Sequence, residues 1–129
     1  MSEVTVRKQR PKHLAVHEIR LPLPGIVSIL HRVSGAGLFL LLPFLLFLFG
    51  RSLGSPETFA TFEAVVSHPL AKLLLLGLLW AYLHHFCAGI RFLLLDLHQG
   101  LDLPSARNSA RIVLVVSLAL TVIIGVKLW

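Results

Sequence analysis

The chain has 129 residues, of which 56% are hydrophobic and 14% charged, and its 12 Lys/Arg against 6 Asp/Glu give a formal charge of +6. A soluble domain of this size has too little interior to hide that much apolar surface, and a disordered chain would be far more polar. The cations flank apolar blocks and no basic amphipathic element accompanies them, so they point to orientation in a bilayer and away from nucleic acid as a partner.

The N-terminal segment, residues 1–25, carries Arg7, Lys8, Arg10, Lys12 and Arg20. A first apolar block runs from about residue 26 to 50, with Pro43 inside it, and is too long and too far from the start for a cleaved signal peptide. Residues 51–68 form a connector in which Ser55-Pro56-Glu57 suits the start of a short helix, with Ser55 as N-cap and Pro56 in the first helical position. The second block covers about residues 70–95, residues 96–106 form another connector, and the third block covers about 107–129, with Lys127 placed to snorkel. Each block is close to the ~20 residues a helix needs to cross a bilayer, and strand-like alternation is absent. The expected fold is an all-α membrane protein, one domain over residues 1–129, with three transmembrane helices. Arg7, Lys8, Arg10, Lys12, Arg20 and Arg32 near the first helix start, and Arg91, Arg107 and Arg111 around the second connector, outnumber Arg51, Lys72 and Lys127 on the other side. That bias predicts a cytoplasmic N-terminus and a periplasmic C-terminus. The lone Cys87 permits no internal disulfide.

Ionisable side chains inside a membrane helix need a partner or a task. They fall in two groups: Ser28, His31 and Arg32 in the first helix, and His84, His85 and Arg91 in the second. Ser28 and Arg32 are four apart and share a helix face, with His31 beside it; His85 and Gly89 are also four apart, and Gly89 leaves a notch beside the imidazole. Arg91 lies about 9 Å further along the axis from His85, toward the end where the first helix begins, so both groups meet at one depth. A deep histidine, a notch for a flat group and nearby cations suit haem b: His85 as axial ligand to the iron, with His31 and Arg91 facing the propionates. One such histidine supplies one axial ligand, so a second polypeptide would supply the other. Ser28 and Arg32 offer a hydroxyl and a guanidinium to a quinone carbonyl. Plainer readings exist: His31-Arg32 as an interfacial anchor, Arg91 as a flanking cation, and His84-His85 as a hydrogen-bonding pair for a neighbouring helix. Adjacent helical residues point about 100° apart, so His84 and His85 do not address one iron together.

Three stretches resemble the cytochrome b556 subunit family of succinate dehydrogenase, the larger membrane anchor of respiratory complex II. They are Lys8-Gln9-Arg10-Pro11 followed by Ile19-Arg20 and a proline; Ser28-Ile29-Leu30-His31-Arg32-Val33-Ser34-Gly35; and His85 four before Gly89-Ile90-Arg91, with Asp96 shortly after. Their order and spacing match the bacterial form over essentially the whole chain. The resemblance implies a multi-pass subunit of the bacterial inner membrane, paired with a second small anchor that shares a haem b, and docked to the iron–sulfur and flavoprotein subunits. It implies His85 as the haem ligand, His31 and Arg91 near the propionates, and Ser28 and Arg32 at the ubiquinone site. No residue of this chain is expected to carry the succinate chemistry itself. Many relatives have a second histidine after Gly-Ile-Arg where this chain has Phe92, and His84 is an extra histidine; the spacing to Gly89 favours His85. The rival expectations are a quinol-oxidising fumarate reductase anchor and a cofactor-free structural anchor.

Overall fold

The computed structural model describes residues 18–129, so the basic tail and the Lys8-Gln9-Arg10-Pro11 stretch lie outside the described residues. Four helices follow one another: α1 (Leu23–Ser52), α2 (Pro56–Ser67), α3 (Pro69–Asp96) and α4 (Leu103–Leu128). Three of them, at 30, 28 and 26 residues, are long and apolar enough to cross a membrane. The expectation of three spanning helices therefore holds, and α2, at 12 residues, is too short to cross.

Proline marks every helix start, because a helix's first N–H groups have no partner inside the helix and proline lacks one. Ser55 caps α2 as its sequence suggests, its Oγ accepting from Thr58 N at 3.4 Å. The connector before α4 is shorter than expected. Asp102 accepts from Ser105 N at 3.0 Å, so α4 starts at Leu103 and not near residue 107. Hydropathy alone begins the third block at the apolar run; the cap begins the helix one turn earlier. Likewise α1 begins at Leu23, ahead of the expected 26, and stays helical through Pro43. At the end of α3, His98 N bonds Leu95 O and Gln99 N bonds Leu94 O. That pair closes a Schellman turn whose left-handed position holds His98, at φ 60°, where glycine is usual.

α3 is central and antiparallel to both α1 and α4. The packing is inverted relative to a soluble bundle. Large apolar side chains face outward, such as Phe39 at 74% exposure and Val126 at 76%, while the sealed positions include His84, Ser117 and Ser34. The apolar core is small: Val27, Ala88, Ala110 and Val113. Lipid tails are as apolar as leucine, so there is no gain in turning leucines inward, and small residues win the interior by letting backbones approach. α4 buries Ala110, Val113, Ser117, Thr121 and Gly125 along one stripe. Ser117 and Thr121 donate to their own helix's carbonyls at Leu114 and Ser117. A Cβ on Gly125 would stand 2.9 Å from Leu76 Cδ1, so that close approach depends on glycine.

Candidate functional site

The two polar groups of α1 and α3 meet, as their spacing predicts. The imidazoles of His31 and His85 stack with centroids 4.1 Å apart and planes 8° from parallel. Antiparallel helices bring the ninth residue of α1 level with the later half of α3, which is the shared depth expected from sequence.

What positions His85 is the Ser34-Gly35 step of α1. His85 Nδ1 lies 3.0 Å from the His31 carbonyl oxygen and 3.3 Å from Ser34 Oγ, and Ser34 Oγ donates to that same carbonyl at 2.9 Å. A Cβ on Gly35 would stand 2.8 Å from His85 Cε1, so the ring reaches the α1 backbone only because residue 35 is glycine. An Nδ1–H donated to the His31 carbonyl leaves Nε2 with its lone pair. His85 Nε2 makes no hydrogen bond with the described residues and is not among the sealed polar atoms. His85 itself is half-buried, at the edge of the bundle.

The notch at Gly89 is lined by another residue of the chain. A Cβ there would come within 3.8 Å of His31 Nε2, so the flat group beside the Gly89 backbone is the His31 imidazole. Phe92, where many relatives carry a second histidine, packs on His31 with centroids 5.1 Å apart. The ring closes that side of the histidine pair by apolar contact.

His84 points elsewhere. It is fully buried, with neither ring nitrogen hydrogen-bonded, and packs against Trp80 at 5.3 Å. His84 is sealed within the bundle, whereas His85 keeps part of its surface exposed. Arg91 also turns away from His85. Six helical residues rotate a side chain by about 600°, which leaves it about 120° from the starting direction. The side chain is 6% exposed, and it donates from Nε to Ser109 Oγ at 2.9 Å and from Nη2 to the Ala106 carbonyl at 3.3 Å, both on α4. Its guanidinium lies 5.4 Å from the Phe92 ring centroid, one aromatic ring removed from His31.

Ser28 is partly buried and Arg32 exposed, one turn apart on α1 and adjacent to His31 in the helix. Among the described residues neither side chain makes a hydrogen bond within the chain, so their donors remain free for a group from outside. The structure thus groups His31, His85, Ser34 and Gly35 closely, sets Ser28 and Arg32 beside them, and directs Arg91 to α4. Ser34 and Gly35 are the positions whose physical role the residue-level reading missed. Their signal was present, since they stand three and four residues after His31, one turn deeper in the helix.

No group of three His, Cys, Asp or Glu side chains suited to a bare metal ion occurs among the described residues. A single oriented imidazole is a different donor set, one that fits a metal whose remaining equatorial ligands come from a macrocycle.

Residues 6–124 match the model of the succinate dehydrogenase/fumarate reductase transmembrane subunit family. The chain is 38% identical over 122 residues to the succinate dehydrogenase cytochrome b556 subunit of Coxiella burnetii, covering 94% of this chain and 98% of that one. It is 34% identical over 119 residues to the subunit of the same name from Paracoccus denitrificans, covering 91% and 90%. A further relative of that name, from Rickettsia felis, is 25% identical over 124 residues. With three helices able to span and bacterial relatives of this kind, the protein is a multi-pass protein of the bacterial inner membrane. By the extent of the family match and by its identity to these relatives, the chain belongs to the succinate dehydrogenase/fumarate reductase transmembrane subunit family.

Proposed function

We propose that this chain is the cytochrome b anchor of a succinate dehydrogenase, holding haem b through His85 and forming part of a ubiquinone-reduction site with Ser28 and Arg32. The observation that carries the reading is the orientation of His85: Nδ1 tied to the His31 carbonyl, Nε2 unengaged, and the ring at a flank open to a second chain. Metal-ligating histidines are held in this way, with the second nitrogen hydrogen-bonded to fix tautomer and direction.

Haem b, when bound, supplies a one-electron carrier in the membrane. The residues of this chain supply the rest. Ser34 and the His31 carbonyl orient the ligand, and Gly35 makes room for it. His31 gives a donor toward the propionates, and Arg91 adds positive potential from one aromatic ring further out. Reduction of ubiquinone to ubiquinol takes two electrons and two protons. Arg32 would hydrogen-bond and polarise a quinone carbonyl, and the Ser28 hydroxyl would donate to it, because charge builds on that oxygen as electrons arrive. The electrons come from an iron–sulfur subunit docked at the end of the bundle where α1 begins, which is supplied in turn by a flavoprotein. A second small anchor would share the haem with His85 and supply its other protein ligand, and partner chains would supply the protons. On this reading the N-terminus is cytoplasmic and the C-terminus periplasmic, with the Arg-rich end toward the cytoplasm. The relatives' names favour succinate oxidation over the fumarate-reducing direction that the family also includes.

The test uses the assembled complex. His85→Leu should abolish the b-type α-band in reduced-minus-oxidised spectra. Arg32→Leu should lower succinate-to-ubiquinone activity at least tenfold while dye-linked succinate oxidation stays near wild type. An unchanged α-band would remove the ligand assignment, and equal loss of both activities in Arg32→Leu would make Arg32 an assembly residue. A colourless wild-type preparation would leave a structural anchor.

A further inference from the structure

Arg91 is a cation without an anion. Its two hydrogen bonds go to a neutral hydroxyl and a neutral carbonyl, and it makes no ion pair with any described residue. Two of the five guanidinium N–H groups are thereby used, and burial to 6% exposure leaves the charge poorly solvated. A buried charge in this condition is expensive unless an anion reaches it.

The structure also shows where an anion would enter. Arg91 lines a groove of about 420 Å³ along the α3–α4 seam, on the side of α3 away from α1 and His85. Ser105 and Ser109 line it beside Arg91, and Leu94, Ile112 and Val116 wall the remainder; no lining residue is acidic. Asp102, which caps α4 by accepting from the Ser105 N–H, is exposed and does not line the groove. From Ser105 to Val116 the groove follows about 16 Å of helix axis, polar at one end and apolar along the rest. Depth agrees with an interfacial ligand. α3 is about 42 Å long against a hydrocarbon thickness of about 30 Å, so roughly 6 Å at each end lies among headgroups. Arg91 is five residues, about 7.5 Å, from the Asp96 end, at the boundary between headgroup and hydrocarbon.

We propose that the α3–α4 groove is a binding site for one anionic phospholipid, its phosphate on Arg91 with Ser109 and Ser105 beside it and an acyl chain along Leu94, Ile112 and Val116. A free phosphate would leave the apolar walls uncovered, and a zwitterionic lipid would bring its own ammonium beside a cation that has only neutral partners. The site lies on the flank opposite His85, and it gives Arg91 a direct partner where the haem reading gives that cation only a longer-range field.

The experiment takes the intact detergent-solubilised complex, delipidated, and titrates it with dioleoylphosphatidylglycerol or dioleoylphosphatidylcholine under native mass spectrometry. The expected result is one phosphatidylglycerol bound at least tenfold more tightly than phosphatidylcholine. Arg91→Gln should erase the preference. Val116→Trp, which fills the groove and keeps the cation, should weaken phosphatidylglycerol binding at least tenfold with the b-type α-band unchanged. Equal binding of the two lipids by the wild type, or undiminished binding by Val116→Trp, would overturn the proposal and assign Arg91 to a partner chain's carboxylate. Loss of the α-band with the lipid in Val116→Trp would also overturn it, since the groove would then serve the haem side. If Arg91→Gln does not assemble, the wild-type lipid preference and Val116→Trp still decide.

Discussion

His84 and His85 are neighbours in sequence and occupy opposite environments. His84 faces the sealed interior and has neither nitrogen paired; His85 faces the bundle's edge and is held by the α1 backbone through Nδ1. The same residue type, one position apart, is thus an enclosed packing element in one case and an oriented donor in the other. An imidazole becomes available to a shared ligand when its own chain fixes one nitrogen and leaves the other accessible from outside. Arg91 adds a third direction, since its partners are on α4, away from both stacked histidines.

Exchanging the two histidines gives the largest contrast. His85→Leu should remove the b-type α-band, whereas His84→Leu should keep it with the complex still assembled. Leucine is of similar bulk and fills the same enclosed position beside Trp80. A lost band in His84→Leu with normal assembly would reverse the assignment of roles.

The next effect comes from the clearance at residue 35. Gly35→Ala places a Cβ 2.8 Å from His85 Cε1, so the ring must move. Overpacking of this kind costs about 1–3 kcal/mol, and haem content measured as pyridine haemochrome should fall. Full haem content would show that Gly35 does not set the position of the ring.

Smaller changes concern the α3–α4 connector, which aligns the Arg91 side of the comparison. His98→Gly should stabilise by about 1 kcal/mol in thermal unfolding, because a side chain at φ 60° pays a steric cost that glycine does not. Asp102 should give the least. Its carboxyl is held below the usual carboxylate range chiefly by the Ser105 backbone N–H. The cap therefore contributes stability above the ordinary aspartate pKa, and the contribution is lost as pH falls through the lowered folded value. Asp102→Ala should lower the thermal midpoint slightly near neutrality, and the difference from wild type should close as pH falls through the lowered carboxyl value.

Much of the architecture was legible without coordinates. Apolar runs of bilayer length specify spanning helices because an unpaired peptide group in lipid costs too much for any open alternative. The Ser55-Pro56 start of α2 was readable from its capping chemistry. Hydropathy puts the start of α4 too late, because the helix begins at the Asp102 cap, ahead of its apolar run. The meeting of His31 with His85 followed from helix direction and spacing alone.

Other features depended on which helix stands on which side of α3. Sequence by itself determined that three apolar helices would form, that the charged groups would gather at one end, and that His84 and His85 would diverge by about 100°, because these follow from hydrocarbon solvation and helical pitch. Only the tertiary structure decided that α1 lies against His85 and α4 against Arg91, that Gly35 admits the imidazole to the α1 backbone, and that His84 is sealed inside. The reason is physical: a helix fixes the angle between its own side chains, but the partner each one meets is set by how small residues let the helices approach.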